Sequence, residues 1–517
     1  MSEVYSVKRF RRGFAAFLTG RVAQAAARAV LLLLLVRLLV PADYGFYMLL
    51  IGLSEMLLEL AGLGLLPAAQ RFIPQLVERV GHARLRRFVL AIAGLQMLVV
   101  VAVATAIRLN WTAITSLFDF SPEAAAATLL GTWLFLVVPA FRFAADILEC
   151  LLEQGRAQLC RALLPTLRVI ALLVLLAVGH QIVLADLFLL DLVIVGSCTL
   201  LAWGFIFGAL KRHASDRDEP LPVADIARHA WQMAPVGLLG AARSPGALRL
   251  IVASVLGLPA AGLFAFLQSL ERLVSRYLPG VLLRGLVRPM LISRYLESGI
   301  AFVSSGFNLL SKSNVLIVAA AIASAALVGD EAVALLSGNR FEAAGATLTL
   351  MLLVMLFTSQ RTLIEMVFQV TNRANILRST ALIAPVVLAL AWSLAAFGLP
   401  AIIVAIGVGA LLTNGLALWL YQRGEERLTV HWAGYLRIGA AAVLAFAVSY
   451  GLHSVALDNG LPLPPWARLA VLGVTYLLLL TLFKPYRANE LRLVERAAGG
   501  RIAAMASIWS APAPAKP

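Results

Sequence analysis

Eight arginines lie where a hydrocarbon environment should forbid charge: Arg28, Arg142, Arg168, Arg243, Arg249, Arg272, Arg276 and Arg361 fall within long apolar runs of this 517-residue sequence. An ionisable side chain at a bilayer centre costs roughly 2.5 to 3.5 kcal/mol on insertion scales, so it normally faces a bundle interior or a wet cavity. A guanidinium stays charged in any surroundings and presents a planar fork of donors to two phosphate oxygens, which suits a diphosphate better than a neutral solute. Arg272 and Arg276 are four residues apart and share one helix face. Arg28, Arg243, Arg249, Arg272 and Arg276 make up the candidate anion-binding set.

The same runs contain carboxylates. Glu55, Glu59, Asp186, Asp191 and Glu271 are candidates for charge compensation, the first reading, or for carrying a coupling proton or cation. Glu55 and Glu59 are expected to face Arg28 within one hairpin, and Glu271 an arginine of a neighbouring helix. Arg142 with Asp146, and Arg361 with Glu365, are spaced for i,i+4 ion pairs, whereas Arg168 lies about one turn inside its span and is expected to snorkel.

Enzyme signatures are missing. No G-x-x-x-x-G-K-[ST] loop is present to cradle a nucleotide, and no His, Cys and carboxylate cluster has metal-ligand spacing. Neither a metal nor another cofactor is expected. Cys150, Cys160 and Cys198 offer no disulfide framework. A membrane glycosyltransferase or polymerase should carry catalytic groups in a substantial external loop, and the external loops here are short and nearly bare.

These side chains are positioned by membrane helices. The chain is 61% hydrophobic and only 14% charged, with a mean hydropathy of +0.90, far outside the soluble range. We expect an all-α integral membrane protein of about 14 (12 to 14) transmembrane helices of roughly 20 residues each. The net charge of +16 is a topology signal before it is a nucleic-acid signal, and no nucleic-acid partner is expected. Roughly thirty of the 43 lysines and arginines fall in segments assigned to the cytoplasm. That bias places both termini there. The basic N-terminal segment is read as flanking a first span, not as a cleaved signal peptide, because Arg28 interrupts the apolar run and no small-x-small site follows.

The segment KRHASDRDEPLPVADIARHA divides the chain. Residues 1–210 form an N-terminal lobe of spans 1–6, 211–230 a cytoplasmic linker, 231–430 a C-terminal lobe of spans 7–12, 431–485 an additional helix pair, and 486–517 a cytoplasmic tail. Within span 7, Arg243-Ser244-Pro245-Gly246 interrupts the helix, and Pro245 with Gly246 is the candidate hinge. An internal repeat joins LLVPADYGFYMLL to VLGLPAAGLFAFL, placing Gly45 against Gly262 at a shift of 217 residues. Two like halves of six spans joined by a polar linker form the pattern of a transporter whose halves rock about a central site.

The block LVRLLVPADYGFYMLL, followed by LAGLGLLPAAQRFIPQLVERVG, is similar to the start of the oligosaccharide-lipid flippases (Wzx-type polysaccharide biosynthesis proteins). LSGNRFEAAGATLTLML resembles a later block of that family. The wider multidrug/oligosaccharidyl-lipid/polysaccharide exporter superfamily includes lipid II flippases and multidrug exporters. The resemblance implies two pseudo-symmetric six-helix lobes around a cationic central cavity. It also implies alternating access that moves a polyprenyl-diphosphate-linked glycan between leaflets of the bacterial inner membrane, for O-antigen, capsule or exopolysaccharide biosynthesis. In lipid II flippases a first-span arginine and further cavity arginines are associated with diphosphate, and Arg28 and Arg272 occupy comparable spans. The implied partners are the glycan lipid, membrane lipid, a polysaccharide polymerase and export machinery. The implied activity is transport and not enzymatic. A cation-coupled multidrug exporter is the alternative, and its cavity should be acidic or apolar instead of arginine-rich.

Overall fold

The structure is a computed structural model that describes residues 7–77, 79–116, 122–212, 219–242, 244–282, 284–371, 373, 375–424, 426–490 and 509–511. Arg243 lies outside the described residues. Among the described residues the fold is all-α apart from one pair of two-residue strands. It divides into two compact units, Met1–Phe266 and Leu267–Pro517.

The first unit contains α1 (Val7–Leu38), α2 (Pro41–Leu60), α3 (Leu65–Leu76), α4 (His82–Leu109), α5 (Trp111–Thr115), α6 (Pro122–Gly131), α7 (Leu134–Cys150), α8 (Gln154–Ala177) and α9 (Leu184–Arg212). It continues through α10 (Val223–Ala241), α11 (Pro245–Leu256) and the start of α12 (Leu258–Ser275). Helix α1 packs along α8, and α7 packs on α9, while α2 lies between α7 and α11. Local sequence sets the breaks. Pro41 opens α2 at a position whose amide needs no intrahelical partner. The chain then turns by 63° between α2 and α3, at Gly64, whose φ of +68° suits a residue without a Cβ. Helix α11 starts with Ser244 as N-cap, its Oγ accepting from the Ala247 amide at 3.2 Å, and with Pro245 as first residue.

The repeat seen in sequence becomes a contact. A Cβ on Gly45 would collide with the Leu258 carbonyl, and a Cβ on Gly262 would lie 2.5 Å from the Pro41 carbonyl. Both pairings, Gly45 with Gly262 and Pro41 with Leu258, are 217 residues apart. Helices α2 and α12 therefore cross reciprocally, each glycine admitting the other helix's backbone. A second close approach joins Gly52 of α2 to Gly246 of α11.

The second unit holds the rest of α12, then α13 (Pro279–Leu282), α14 (Arg284–Ser337), α15 (Gly345–Val370), α16 (Asn375–Ala381), α17 (Ile383–Leu394), α18 (Leu399–Gln422), α19 (Trp432–Asp458) and α20 (Pro465–Phe483). Helix α14 is broken at Gly299, where φ is +63°. It packs on α15 and on α19, which pairs with α20. One apolar cluster gathers Phe307, Leu310, Leu363, Phe368 and Tyr421. Another gathers Val315, Ile438, Ala441, Tyr476 and Leu480, bonding the last helix pair to α14. Strand β1 (Tyr486–Arg487) pairs in parallel with β2 (Ser510–Ala511).

Large apolar side chains face outward along most of the helices, among them Leu98, Leu200, Leu436, Val443 and Leu482. Water would penalise such a surface, and lipid does not. Among the described residues, eleven helices are long and apolar enough to cross a membrane, or twelve if the bent α2–α3 pair is one span. The chain is a multi-pass membrane protein. Of the about fourteen spans expected, α1 and α12 are present as helices of 32 and 18 residues but are not among these. Helix α1 runs unbroken through Arg28, and α12 through Glu271 and Arg272.

Candidate functional site

Charges in the first unit are mostly matched across helices. Asp191 on α9, 1% exposed, lies 2.7 Å from Arg168 Nε on α8 and accepts from the Tyr47 hydroxyl on α2 at 2.7 Å. Arg168 therefore turns into the bundle and does not snorkel: a buried carboxylate within reach stabilises the cation better than a stretch to the interface. Tyr47 stacks on Phe188, which orients its hydroxyl. Three helices are thus pinned by one buried polar contact.

Glu55 on α2 pairs with Arg142 on α7 at 2.5 Å. Asp146, one turn beyond Arg142, pairs instead with Arg161 of α8 at 2.5 Å, and Arg161 also reaches Glu149. The expected i,i+4 pair of Arg142 with Asp146 is replaced by two cross-helix pairs, because α7 is flanked by α2 and α8. Gln24 of α1 donates to the Arg161 carbonyl at 2.9 Å and accepts from Gln158 at 3.1 Å, tying α1 to α8. Glu55 is thereby engaged away from α1.

Arg28 is half-buried on α1. Among the described residues no hydrogen bond or ion pair to it is present. Arg249 differs: it is 1% exposed, and its Nη1 donates to the Met48 carbonyl of α2 at 2.7 Å. It sits beside the Gly52–Gly246 approach, so the absent side chains there make room for a guanidinium. Pro245 and Gly246 form the first turn of α11, directly after the helix break. Asp186 lies in the first turn of α9, where it meets His180 at 2.8 Å and accepts from the Val183 amide at 3.0 Å. Glu59 is exposed near the end of α2.

In the second unit, Arg272 turns back on its own helix, donating to the Gln268 carbonyl and side-chain oxygen, both at 3.3 Å. Glu271 beside it is half-buried, and Arg276, past the end of α12, is exposed. The i,i+4 pair of Arg361 with Glu365 is present at 2.9 Å, and Arg361 also donates to the Thr380 hydroxyl at 2.8 Å. Among the described residues no group of three or more His, Cys, Asp or Glu side chains could hold a metal ion.

Sequence reasoning missed Tyr47, whose signal was a hydroxyl-bearing aromatic inside an apolar helix. It also missed two buried cations of the second unit. Arg468 of α20 donates to the Leu327 carbonyl at 3.1 Å and meets Glu331 at 2.5 Å, while Lys312 pairs with Glu490 at 2.8 Å.

No protein-family profile and no curated protein matches the chain. Solved structures do. The chain is similar to a lipid II flippase MurJ in its inward closed conformation, with a TM-score of 0.68 and 13% identity over 90% of this chain and 98% of that chain. It is also similar to an inward-facing multidrug resistance MATE family transporter of the MOP superfamily, with a TM-score of 0.58 and 15% identity over 77% of this chain and 94% of that chain. At these identities the likeness establishes the fold: the chain has the all-α fold of these two membrane transporters.

Proposed function

We propose that the chain is a flippase that carries a polyprenyl-diphosphate-linked oligosaccharide across the bacterial inner membrane by alternating access, supplying polysaccharide biosynthesis. Arg28 carries this reading. It is a half-buried cation without a partner among the described residues, whereas Arg142, Arg161, Arg168 and Arg361 each hold a carboxylate. A diphosphate supplies the anion that such an arginine lacks. The fold likeness to a lipid II flippase supports a lipid-linked substrate.

In this reading Arg28, Arg243, Arg272 and Arg276 receive the diphosphate while the polyprenyl tail stays in lipid. Arg249 joins them only when α2 and α11 separate, because its guanidinium is committed to Met48 in the present arrangement. Glu55 and Asp191 act as compensating charges for Arg142 and Arg168, and Asp186 serves the start of α9. Glu59 and Glu271 remain as coupling candidates. The chain bends at Pro245–Gly246. A polymerase and export machinery are the next handlers of the product.

The test is to change Arg28 and Arg272 to alanine together in the producing cell. Surface glycan should be lost while the protein stays in the membrane at its normal level; unimpaired export sinks the assignment. The fold likeness to a MATE transporter supports one second reading, a cation-coupled drug exporter. Drug efflux that tracked Glu55 and Glu59 would favour it.

A further inference from the structure

Ser304, Asn308 and Lys312 recur every fourth residue along α14 and are all buried, inside the candidate span Gly299–Ser337. Each grips irregular backbone. Ser304 Oγ accepts from the Thr429 amide at 3.2 Å; Asn308 donates to the Thr429 carbonyl at 2.6 Å and accepts from the His431 amide at 2.9 Å. Lys312 reaches the chain beyond α20. Its Nζ donates to the Pro485 carbonyl at 3.1 Å and to both carboxylate oxygens of Glu490 at 2.8 and 2.9 Å.

The same carboxylate lies 2.8 Å from His431 Nδ1 and accepts from the Arg487 amide at 3.0 Å. Lys312 and Glu490 side chains are 1% and 0% exposed. Tyr486 lies under the ammonium, meets Ser313 through its hydroxyl, and bonds through its amide to the Trp509 carbonyl. Trp509 packs on the apolar cluster shared by α14, α19 and α20. Gly434 in the first turn of α19 permits the fit: a Cβ there would lie 2.5 Å from Lys312 Cε and 2.6 Å from the Pro485 carbonyl.

A fully buried ion pair adds little stability by itself, but removing one partner strands a charge out of water at a cost of several kcal/mol. An arrangement held this way resists half-opening, because a partly parted pair loses its attraction before it regains its hydration. We propose that residues 484–490 are a bistable latch: Glu490 seats in a socket formed by the Lys312 ammonium and the His431 ring, and clamps the first turn of α19 and the exit of α20 to α14. The seated and released states then differ in whether residues 484–490 hold the start of α19 and the exit of α20 to α14, while the apolar cluster along the three helices stays packed in both.

Hydrogen–deuterium exchange of the full-length purified protein in nanodiscs tests this, reading peptides that cover 484–490 against peptides of α15. Lys312→Met and Glu490→Gln should each speed exchange at Tyr486 and Arg487 by about a hundredfold or more, leaving α15 protected. Gly434→Ala, which keeps every charge, should speed it as well. That variant answers the question even where a charge variant fails to fold. Fast exchange at Tyr486 with a protected α15 supports the latch, and wild-type exchange at 484–490 in Gly434→Ala or in a folded charge variant overturns it.

Discussion

Replacing Gly45 by alanine should part the α2–α12 crossing, even though alanine is the better helix former. In an ordinary helix interior this change stabilises by about 0.5–1 kcal/mol. At Gly45 the new methyl collides with the Leu258 carbonyl and lies 2.8 Å from the Gly262 amide nitrogen. Both are backbone atoms, which no rotamer change can move. Contacts of this kind relax only near about 3.5 Å, so the helices must separate. Overpacking costs about 1–3 kcal/mol, and because the helix gain is common to the crossed and the parted arrangement, the bias against crossing is about 1–3 kcal/mol, or about 5- to 150-fold in population. The assay is maleimide labelling of Leu258→Cys, a position 6% exposed at the crossing, in full-length protein whose three buried cysteines are changed to alanine. Gly45→Ala should raise the labelling rate by about that factor. Gly204→Ala on α9, where an added Cβ meets nothing within 4 Å, should leave it unchanged. An unaltered rate in a stable Gly45→Ala protein would refute the steric reasoning.

Three further outcomes follow from the buried charges. Asp191→Asn should strand Arg168 and lower unfolding free energy by about 3–5 kcal/mol, read as a fall in thermal midpoint, with Arg168→Leu/Asp191→Leu recovering much of the loss. Tyr47→Phe removes one donor from the same carboxylate and should cost about 1–2 kcal/mol in that measurement, while leaving the ion pair in place. Arg468→Ala should detach α20 from Leu327 and Glu331 and lower the thermal midpoint clearly, whereas Arg28→Ala, with no partner to strand among the described residues, should leave it within about 0.5 kcal/mol of wild type.

Hydropathy made the helices legible, since lipid leaves a chain few other ways to satisfy its backbone. The glycine crossing was half-legible: Gly45 and Gly262 stood out as a repeat, but nothing in one dimension says that the two repeats touch each other. Charge pairing followed the distance over which each pair is written. Arg361 with Glu365 belongs to one helix and was readable from spacing. Arg168 with Asp191, Glu55 with Arg142, and Asp146 with Arg161 each depend on which helices are neighbours, so a snorkelling arginine and an i,i+4 pair were the natural readings. Lys312 carries no pairing signal at helical spacing, since its partner, Glu490, lies 178 residues later. Residues 486–517 read as a cytoplasmic tail, and Tyr486 and Glu490 of that segment dock on α14. Composition reports a segment's average, whereas the ion pair with Lys312 depends on a single carboxylate, Glu490.

Transport by the purified protein in proteoliposomes tests the account most directly. A fluorescent oligosaccharide lipid with a diphosphate linkage and the same glycan on a neutral lipid are offered side by side. The account predicts that the diphosphate lipid crosses, that Arg28→Ala/Arg272→Ala abolishes its crossing, and that polyprenyl diphosphate competes. Equal passage of the neutral lipid, or passage that ignores the loss of both arginines, would contradict it.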